Sequence, residues 1–407
     1  MNFYYLKYKS SINVASIWVS GGSDKDSKHK KGINQILSSL LVRGCEGYDN
    51  FKLSDYIHSY GADLNCETLE DGILINIKSI NLYFKDVYPI LRLILDKPNL
   101  SKDQFKLCIL NTINHIKKAK ENPFNKVFEN WRKLVYKNHP YAYDSNGYIN
   151  NINNINYEDI LDEFNNFRKR KKILLSNYYI ENMENVDSLF YGRSFCKNLI
   201  YVNSSSSFYE GGFKVHHKDI NQVIFLIGNK TCSSTYNDFL NLKILESYLA
   251  FGMSSKLFRI FRERNGLTYD VGVFNPLRKT SAPFIIYLSS SSNNYIDTFR
   301  HLLNLWDQIT SKLLIEDELD LAKIKLNAAI SLSSQTSEEI INRKVQLIGL
   351  NMDPKLDDNL IKRISKISSK EILETAQKYL LKPALSICGK EIYCKQIKKI
   401  WQDRYQS

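Results

Sequence analysis

"KGINQILSSLLVRGCEG", residues 31–47, decides how this chain reads. Ile33, Ile36, Leu37, Leu40 and Leu41 recur at spacings of three and four, so they lay one apolar stripe along a helix. Gln35, Ser38 and Ser39 break that run at i, i+3 and i+4, which places three neutral polar side chains on one patch of the same helix. A carboxamide and two hydroxyls are feeble metal donors, and neither titrates near neutral pH as a general base must.

Working outward, the chain repeats one order of elements. In the first half a strand, "INVASIWVSGG" (12–22), leads into the quoted helix, and a second helix, "NFKLSDYIHSYG" (50–61), ends on Gly61. Ile73, Ile75 and Ile77 then alternate as a half-buried strand does. Helices follow at 83–97 and from residue 100 onward. The second half gives a strand at 221–229, a helix at 238–252, a shorter helix stopped by Gly266, a strand at 284–292 and helices at 295–309 and 315–330. Gly61 and Gly266 each close a helix where the left-handed conformation is needed.

A Ser-rich joint, "CKNLIYVNSSSSFYEGG" (196–212), separates the halves. The expected organisation is a domain over 1–195, a linker over 196–212 and a domain over 213–407. The runs of strands are not strict βαβ alternation, so an α+β fold is expected, each half a mixed, mostly antiparallel sheet with helices on one face.

With 407 residues, 43% hydrophobic and 24% charged, the chain falls in the globular range. No apolar run approaches the roughly eighteen residues of a membrane helix, and "MNFYYLKYKSS" has no long apolar signal segment, so a cytoplasmic, membrane-free location is expected. Cys45, Cys66, Cys108, Cys196, Cys232, Cys388 and Cys394 form an odd set without a CxxC pair, which argues for reduced thiols. The formal charge of +13 is spread along the chain, and its densest cluster, "FRKRKKILL" (167–175), runs into an apolar strand with no nucleic-acid motif, so no nucleic-acid partner is expected.

The frame of the quoted stretch resembles the metal helix of the insulinase/pitrilysin family of zinc metallopeptidases, in its short-chain branch similar to mitochondrial processing peptidase. The family pattern Gly-x-Ala-His-x-x-Glu-His falls without a gap on Gly32-Ile33-Asn34-Gln35-Ile36-Leu37-Ser38-Ser39. Gln35 and Ser39 stand where the family has zinc-binding His, and Ser38 stands at the catalytic Glu. The family's third ligand lies six residues before an Asp-Asn-Pro-like turn. Glu121-Asn122-Pro123 resembles that turn and puts His115 at the ligand position. An H-x-x-E-H helix works because one turn presents two imidazoles to zinc while the Glu takes a proton from metal-bound water. The resemblance therefore implies a two-domain clam-shell peptidase fold, with no cofactor held by this chain and no hydrolysis by it alone.

Other family segments persist. "FGMSSKLFRIFRERNGLTYDVG" (251–272) resembles the family's Arg/Tyr segment, with Lys256 in place of an Arg and with Arg262 and Tyr269 at the positions that hold the substrate backbone and support the developing oxyanion. "GADLNCETLEDG" (61–72) resembles the edge strand onto which an extended substrate is added, with Asn65 and Cys66 at its Asn-Ala positions. An ordinary sheet edge is the equally open alternative there. "KNHPYAY" (137–143) matches a family His-Pro-Tyr turn in which His139 is a structural hydrogen bonder. The glycine-rich loop of the processing peptidase's non-catalytic subunit has no counterpart in "SYLAFGMSSKLF" (247–258), so presequence gating is not implied.

An Arg/Tyr pair without metal ligands matches the non-catalytic, substrate-binding subunit of a heterodimeric zinc metallopeptidase. Its partner would be an H-x-x-E-H-bearing family member that carries the zinc, and its ligand an extended peptide. The alternative is a structural or assembly protein with a peptidase-like fold and no proteolytic role.

Overall fold

The computed structural model describes residues 1–180, 183–186, 211–235, 237–263 and 270–405. They form two compact units, each built on one sheet. The first takes its described residues from Met1–Ala119, Tyr143–Ile200 and Ser333–Lys355, the second from Lys120–Ala142, Tyr201–Leu332 and Leu356–Ser407. These units are not contiguous stretches, as the expected 1–195 and 213–407 halves are, because each takes in one helix from the other half of the sequence. Of the expected linker, only Gly211 and Gly212 lie among the described residues.

The first sheet contains β1 (Asn2–Tyr5), β2 (Ile12–Ser20), β3 (Asp63–Thr68), β4 (Gly72–Ile80), β5 (Lys172–Ser176) and β6 (Glu184–Asn185), in the order β3-β4-β2-β5-β1-β6. Pairing is antiparallel from β3 through β5 and parallel where β1 joins β5 and β6 joins β1. The second sheet contains β7 (Gly212–His217), β8 (Gln222–Lys230), β9 (Val271–Phe274), β10 (Pro283–Ser291) and β11 (Ala384–Gly389), in the order β7-β11-β8-β10-β9. Read from β9, this repeats the strand order and the pairing senses of β3-β4-β2-β5-β1. The repeat in the sequence is thus a repeat of topology, and both units are α+β with mixed, mostly antiparallel sheets.

Period-2 alternation divides β2 between two faces. Ala15, Ile17 and Val19 turn to a core shared with Ile73, Ile75 and Ile77 of β4 and with Ile36, Leu37 and Leu40 of the Ile33–Leu41 helix, all of them fully buried. The helices Asn50–Ser59, Pro89–Asp96, Lys102–Glu121 and Tyr157–Lys169 add to this same core. Val14, Ser16 and Trp18 turn the other way and are also buried.

What covers that second face is the helix Ser337–Gly349, which starts on a reciprocal capping box between Thr336 and Glu339. Its stripe Ile341, Val345, Ile348 has helical spacing and is buried. Ser16 Oγ donates to Asn342 Oδ1 at 2.6 Å, and Asn76 Nδ2 donates to Glu338 Oε1 at 3.0 Å. Trp18, 1% exposed, lies between two glycines: a Cβ on Gly72 would sit 2.2 Å from its Cζ2, and one on Gly349 2.2 Å from its Cδ1. So the first half's own helices lie on one face of the sheet, as expected, and a helix from the second half closes the other.

The second unit uses the same device. Asn122 and Pro123 begin the Pro123–Tyr136 helix, whose stripe Val127, Trp131, Val135 is buried and whose Trp131 Nε1 donates to Gly228 O of β8 at 3.3 Å. On the opposite face Phe225 of β8 stacks on Phe299 of the Tyr295–Ser311 helix, ring centroids 5.4 Å apart. Cys45, Cys66, Cys108, Cys232, Cys388 and Cys394 are free thiols. Among the described residues no helix is long and apolar enough to cross a membrane.

Candidate functional site

The Ile33–Leu41 helix starts at Gly32, whose φ of 98° is left-handed and whose absent Cβ leaves room for Ile152 and Asn146 O. Gly32 offers no side-chain cap, and Asp26 supplies one from six residues away. Asp26 Oδ2 accepts from Gly32 N at 2.6 Å, while its Oδ1 accepts from Asn34 N at 3.3 Å and Asn34 Nδ2 at 2.7 Å. A carboxylate so placed meets the positive end of the helix.

Burial pushes the Asp26 carboxyl up to about 6, against the donors of Asn34 and Gly32 and the charge of Lys31. Asn34 Oδ1 in turn accepts from Arg170 Nη1 at 2.9 Å, and Arg170 Nη2 pairs with Glu163. Hydrogen bonds and an ion pair thereby fix the start of this helix. Sequence reasoning missed the network. Its one signal is Asn34, a buried polar residue where the family pattern has Ala.

Of the three motif positions, Ser38 is fully buried and Gln35 and Ser39 are half-buried. Ser38 Oγ donates to Gln35 O at 3.0 Å and lies 2.9 Å from Thr68 Oγ1; Ser39 Oγ donates to the same carbonyl at 2.9 Å. Both serine protons therefore go back to the helix backbone, the usual local bonding of mid-helix hydroxyls.

Gln35 and Ser39 line a cavity of about 570 Å3 together with Thr68 of β3, Asn111, Thr112 and His115 of the Lys102–Glu121 helix, and Asn146. His115 of that helix thus meets Gln35 and Ser39 in one pocket, while Ser38 sits behind it against Thr68. Cys108 also lines the pocket; burial raises its thiol, opposed by Arg43.

This donor set does not fit zinc. A structural or catalytic zinc takes three or four Cys, His or carboxylate ligands, and here one imidazole faces a carboxamide and a hydroxyl. Among the described residues no three His, Cys, Asp or Glu side chains come together as a metal group. Among the described residues Ser39 Oγ bonds to Gln35 O and no hydrogen bond joins it to His115.

β3 is the outer strand of its sheet. Leu69 N donates to Gly72 O at the hairpin, so by alternation along the register Asp63, Asn65 and Glu67 bond to β4 while Leu64, Cys66 and Thr68 turn their backbone groups outward. Cys66 therefore presents main-chain groups at the free edge, and Asn65 presents an exposed side chain. Burial raises the Cys66 thiol, with the charge of Glu67 adding to it, which keeps it protonated.

In the second unit Arg262 lies on a π-helical turn, Phe258–Glu263, exposed, with its Cζ 5.3 Å from the Phe258 ring. Tyr269 lies outside the described residues. Lys256 pairs with Glu318 at 3.3 Å. His139 accepts from Tyr141 N at 3.2 Å and meets Thr280 Oγ1 at 3.2 Å, a structural role within the turn.

Two family descriptions match this chain: "Insulinase (Peptidase family M16)" over residues 6–146 and "Peptidase M16 inactive domain" over 197–326, together about two thirds of its length. An "uncharacterized zinc protease" of Rickettsia felis is 21% identical over 385 residues, covering 92% of this chain and 91% of that protein. A "non-peptidase homolog YmxG" of Helicobacter pylori is 20% identical over 362 residues, covering 86% and 82%. The crystal structure of a peptidase M16 inactive domain from Pseudomonas fluorescens superposes with a TM-score of 0.81 at 15% identity, over 95% of both chains. That of a protease from Helicobacter pylori gives 0.81 at 16%, over 95% of this chain and 97% of that one. The chain belongs to the insulinase family, peptidase M16, as a peptidase-like member.

Proposed function

We propose that this protein is the substrate-binding, zinc-free subunit of a cytoplasmic heterodimeric metallopeptidase whose catalytic partner carries H-x-x-E-H and the metal. The observation that carries this reading is the company the altered motif keeps. The outer strand β3, with the backbone groups of Cys66 free, borders the very pocket that holds Gln35, Ser39 and His115. A frame able to receive an extended peptide has been kept while the groups that activate water have not. β-Augmentation draws on main-chain hydrogen bonds and so tolerates the change to Cys66.

Arg262 and Tyr269 would act in trans, a guanidinium and a phenol fixing the attacked carbonyl in the partner's site. Guanidinium donors are fixed in a planar fork, which suits them to charge that develops on one oxygen.

The test is co-expression with an H-x-x-E-H family member and assay on unstructured peptides. Arg262→Ala and Tyr269→Phe should each lower the rate about 10²- to 10³-fold, the usual loss for one oxyanion donor. Rates within twofold of wild type reject the trans role. Chelator-sensitive digestion by the isolated chain would reject the zinc-free assignment, and absence of both complex and peptide binding would favour an assembly protein.

A further inference from the structure

The pocket on the Ile33–Leu41 helix is more than a vacated metal site. Its wall carries Gln35, Asn111 and His115, and none of these side chains makes a hydrogen bond among the described residues. Ser39 and the buried Thr112 line the same wall. Arg43, the one fixed cation there, already donates to Gln104 Oε1 at 3.2 Å, and Glu67, the one carboxylate, is exposed. The wall therefore sets one guanidinium and one exposed carboxylate among neutral groups that both donate and accept, with Gln35 half-buried and Asn111 and His115 exposed.

Position adds to this chemistry. Thr68 of β3 turns its side chain to the Ile33–Leu41 helix, 3.0 Å from Asn34 O, so this is the helix-facing side of the strand. A peptide added to the free edge of β3 alternates its side chains between the two faces. A residue set beside Cys66 or Thr68 on the helix side then points at the Gln35–Asn111 wall.

We propose that this pocket is a recognition subsite for an uncharged hydrogen-bonding side chain, a carboxamide above all, on a peptide laid along β3. The inference rests on the substrate-binding reading above. A carboxamide offers two donors and two acceptor lone pairs, which complements the amides of Gln35 and Asn111 that line the pocket. A lysine would meet the guanidinium of Arg43, and Glu67, the carboxylate there, is exposed and screened by water. An apolar side chain would leave the half-buried Gln35 amide facing hydrocarbon, and unpaired polar groups are what make such sites selective. The volume, about 570 Å3, admits a glutamine side chain and leaves room for water beside it.

The experiment uses the full chain and dye-labelled extended peptides identical except for one central Gln, Leu or Lys, read by fluorescence anisotropy. Two half-exposed hydrogen bonds give a preference of about tenfold for Gln over Leu and Lys. The double variant Gln35→Leu/Asn111→Leu, checked for an unchanged melting temperature, should lose that preference while still binding the Leu peptide. Equal affinity of all three peptides for the wild-type chain overturns the subsite and leaves the edge-strand reading standing. A second arm uses N-acetylglutamine methylamide by saturation-transfer NMR. A transfer signal in wild type that the double variant lacks, with no peptide bound by either, would retain the subsite and remove the peptide-binding reading. Absence of that signal together with absence of a Gln preference overturns the subsite.

Discussion

Replacing Gly349 by Ala tests the most unusual feature of the first unit, a helix from the far half of the sequence seated on its sheet. The position is helical, and on propensity alone Ala should stabilise by about 1 kcal/mol. The structure opposes that gain. The new Cβ would lie 2.2 Å from Trp18 Cδ1, 2.3 Å from its Nε1 and 2.5 Å from its Cγ.

The indole has no room to retreat, because it is 1% exposed and the Cβ site of Gly72 already lies 2.2 Å from its Cζ2. Overpacking of a close-packed site costs about 3 kcal/mol at the upper end of its usual range. The net loss is then about 2 kcal/mol, or a fall of about 4–8 °C in the melting temperature of a unit of this size. Differential scanning calorimetry with near-ultraviolet circular dichroism reads it, since two units need not melt together. Trp18→Phe should recover part of the loss in the double variant, a non-additivity expected only of residues in contact. A Gly349→Ala protein that melts at or above the wild-type temperature would refute the clamp around Trp18.

Three further outcomes follow. Asp26 has its folded value raised from 3.8 to about 6, so between those values the folded chain holds more proton than the unfolded one and loses stability as pH rises through 6; Asp26→Asn should flatten the slope of urea midpoint against pH from about 4 to 6, and an unchanged slope counts against it. Ser38→Ala removes the hydroxyl that meets Thr68 and Gln35 O and should cost about 1 kcal/mol by urea denaturation, whereas a gain in stability would show that the buried hydroxyl is a burden. Added Zn2+ and a chelator should both leave the melting temperature of the isolated chain unchanged, because only ligands that bind the folded state shift it; a zinc-dependent rise would mean that His115 has partners beyond those described.

Much of the fold was legible in the chain because local rules agreed with the tertiary outcome. The 3–4 spacing of Ile33 to Leu41, the alternation of Ile73, Ile75 and Ile77 and the repeated order of elements all reappear, the last as one strand order used twice. The neutral polar chemistry of Gln35, Ser38 and Ser39 on that helix was equally plain, since side-chain chemistry at a fixed helical spacing needs no coordinates to judge. Spacing from the turn at 121–123 singled out His115, and the Lys102–Glu121 helix carries it to the pocket of Gln35 and Ser39.

Other features depended on the fold in space. The stripes Val127–Trp131–Val135 and Ile341–Val345–Ile348 say that each helix buries a face, but not against which sheet. Their choice rests on shape and polar pairing, as with Trp18 between Gly72 and Gly349 or Asn342 against Ser16. Likewise Asp26, Asn34, Arg170 and Glu163 are scattered in sequence and become one network only where the chain returns. Sequence by itself determined the period and the order of the elements, because these are set within a few residues. Tertiary structure decided which faces meet and which buried polar groups find one another, because those contacts join residues more than a hundred positions apart.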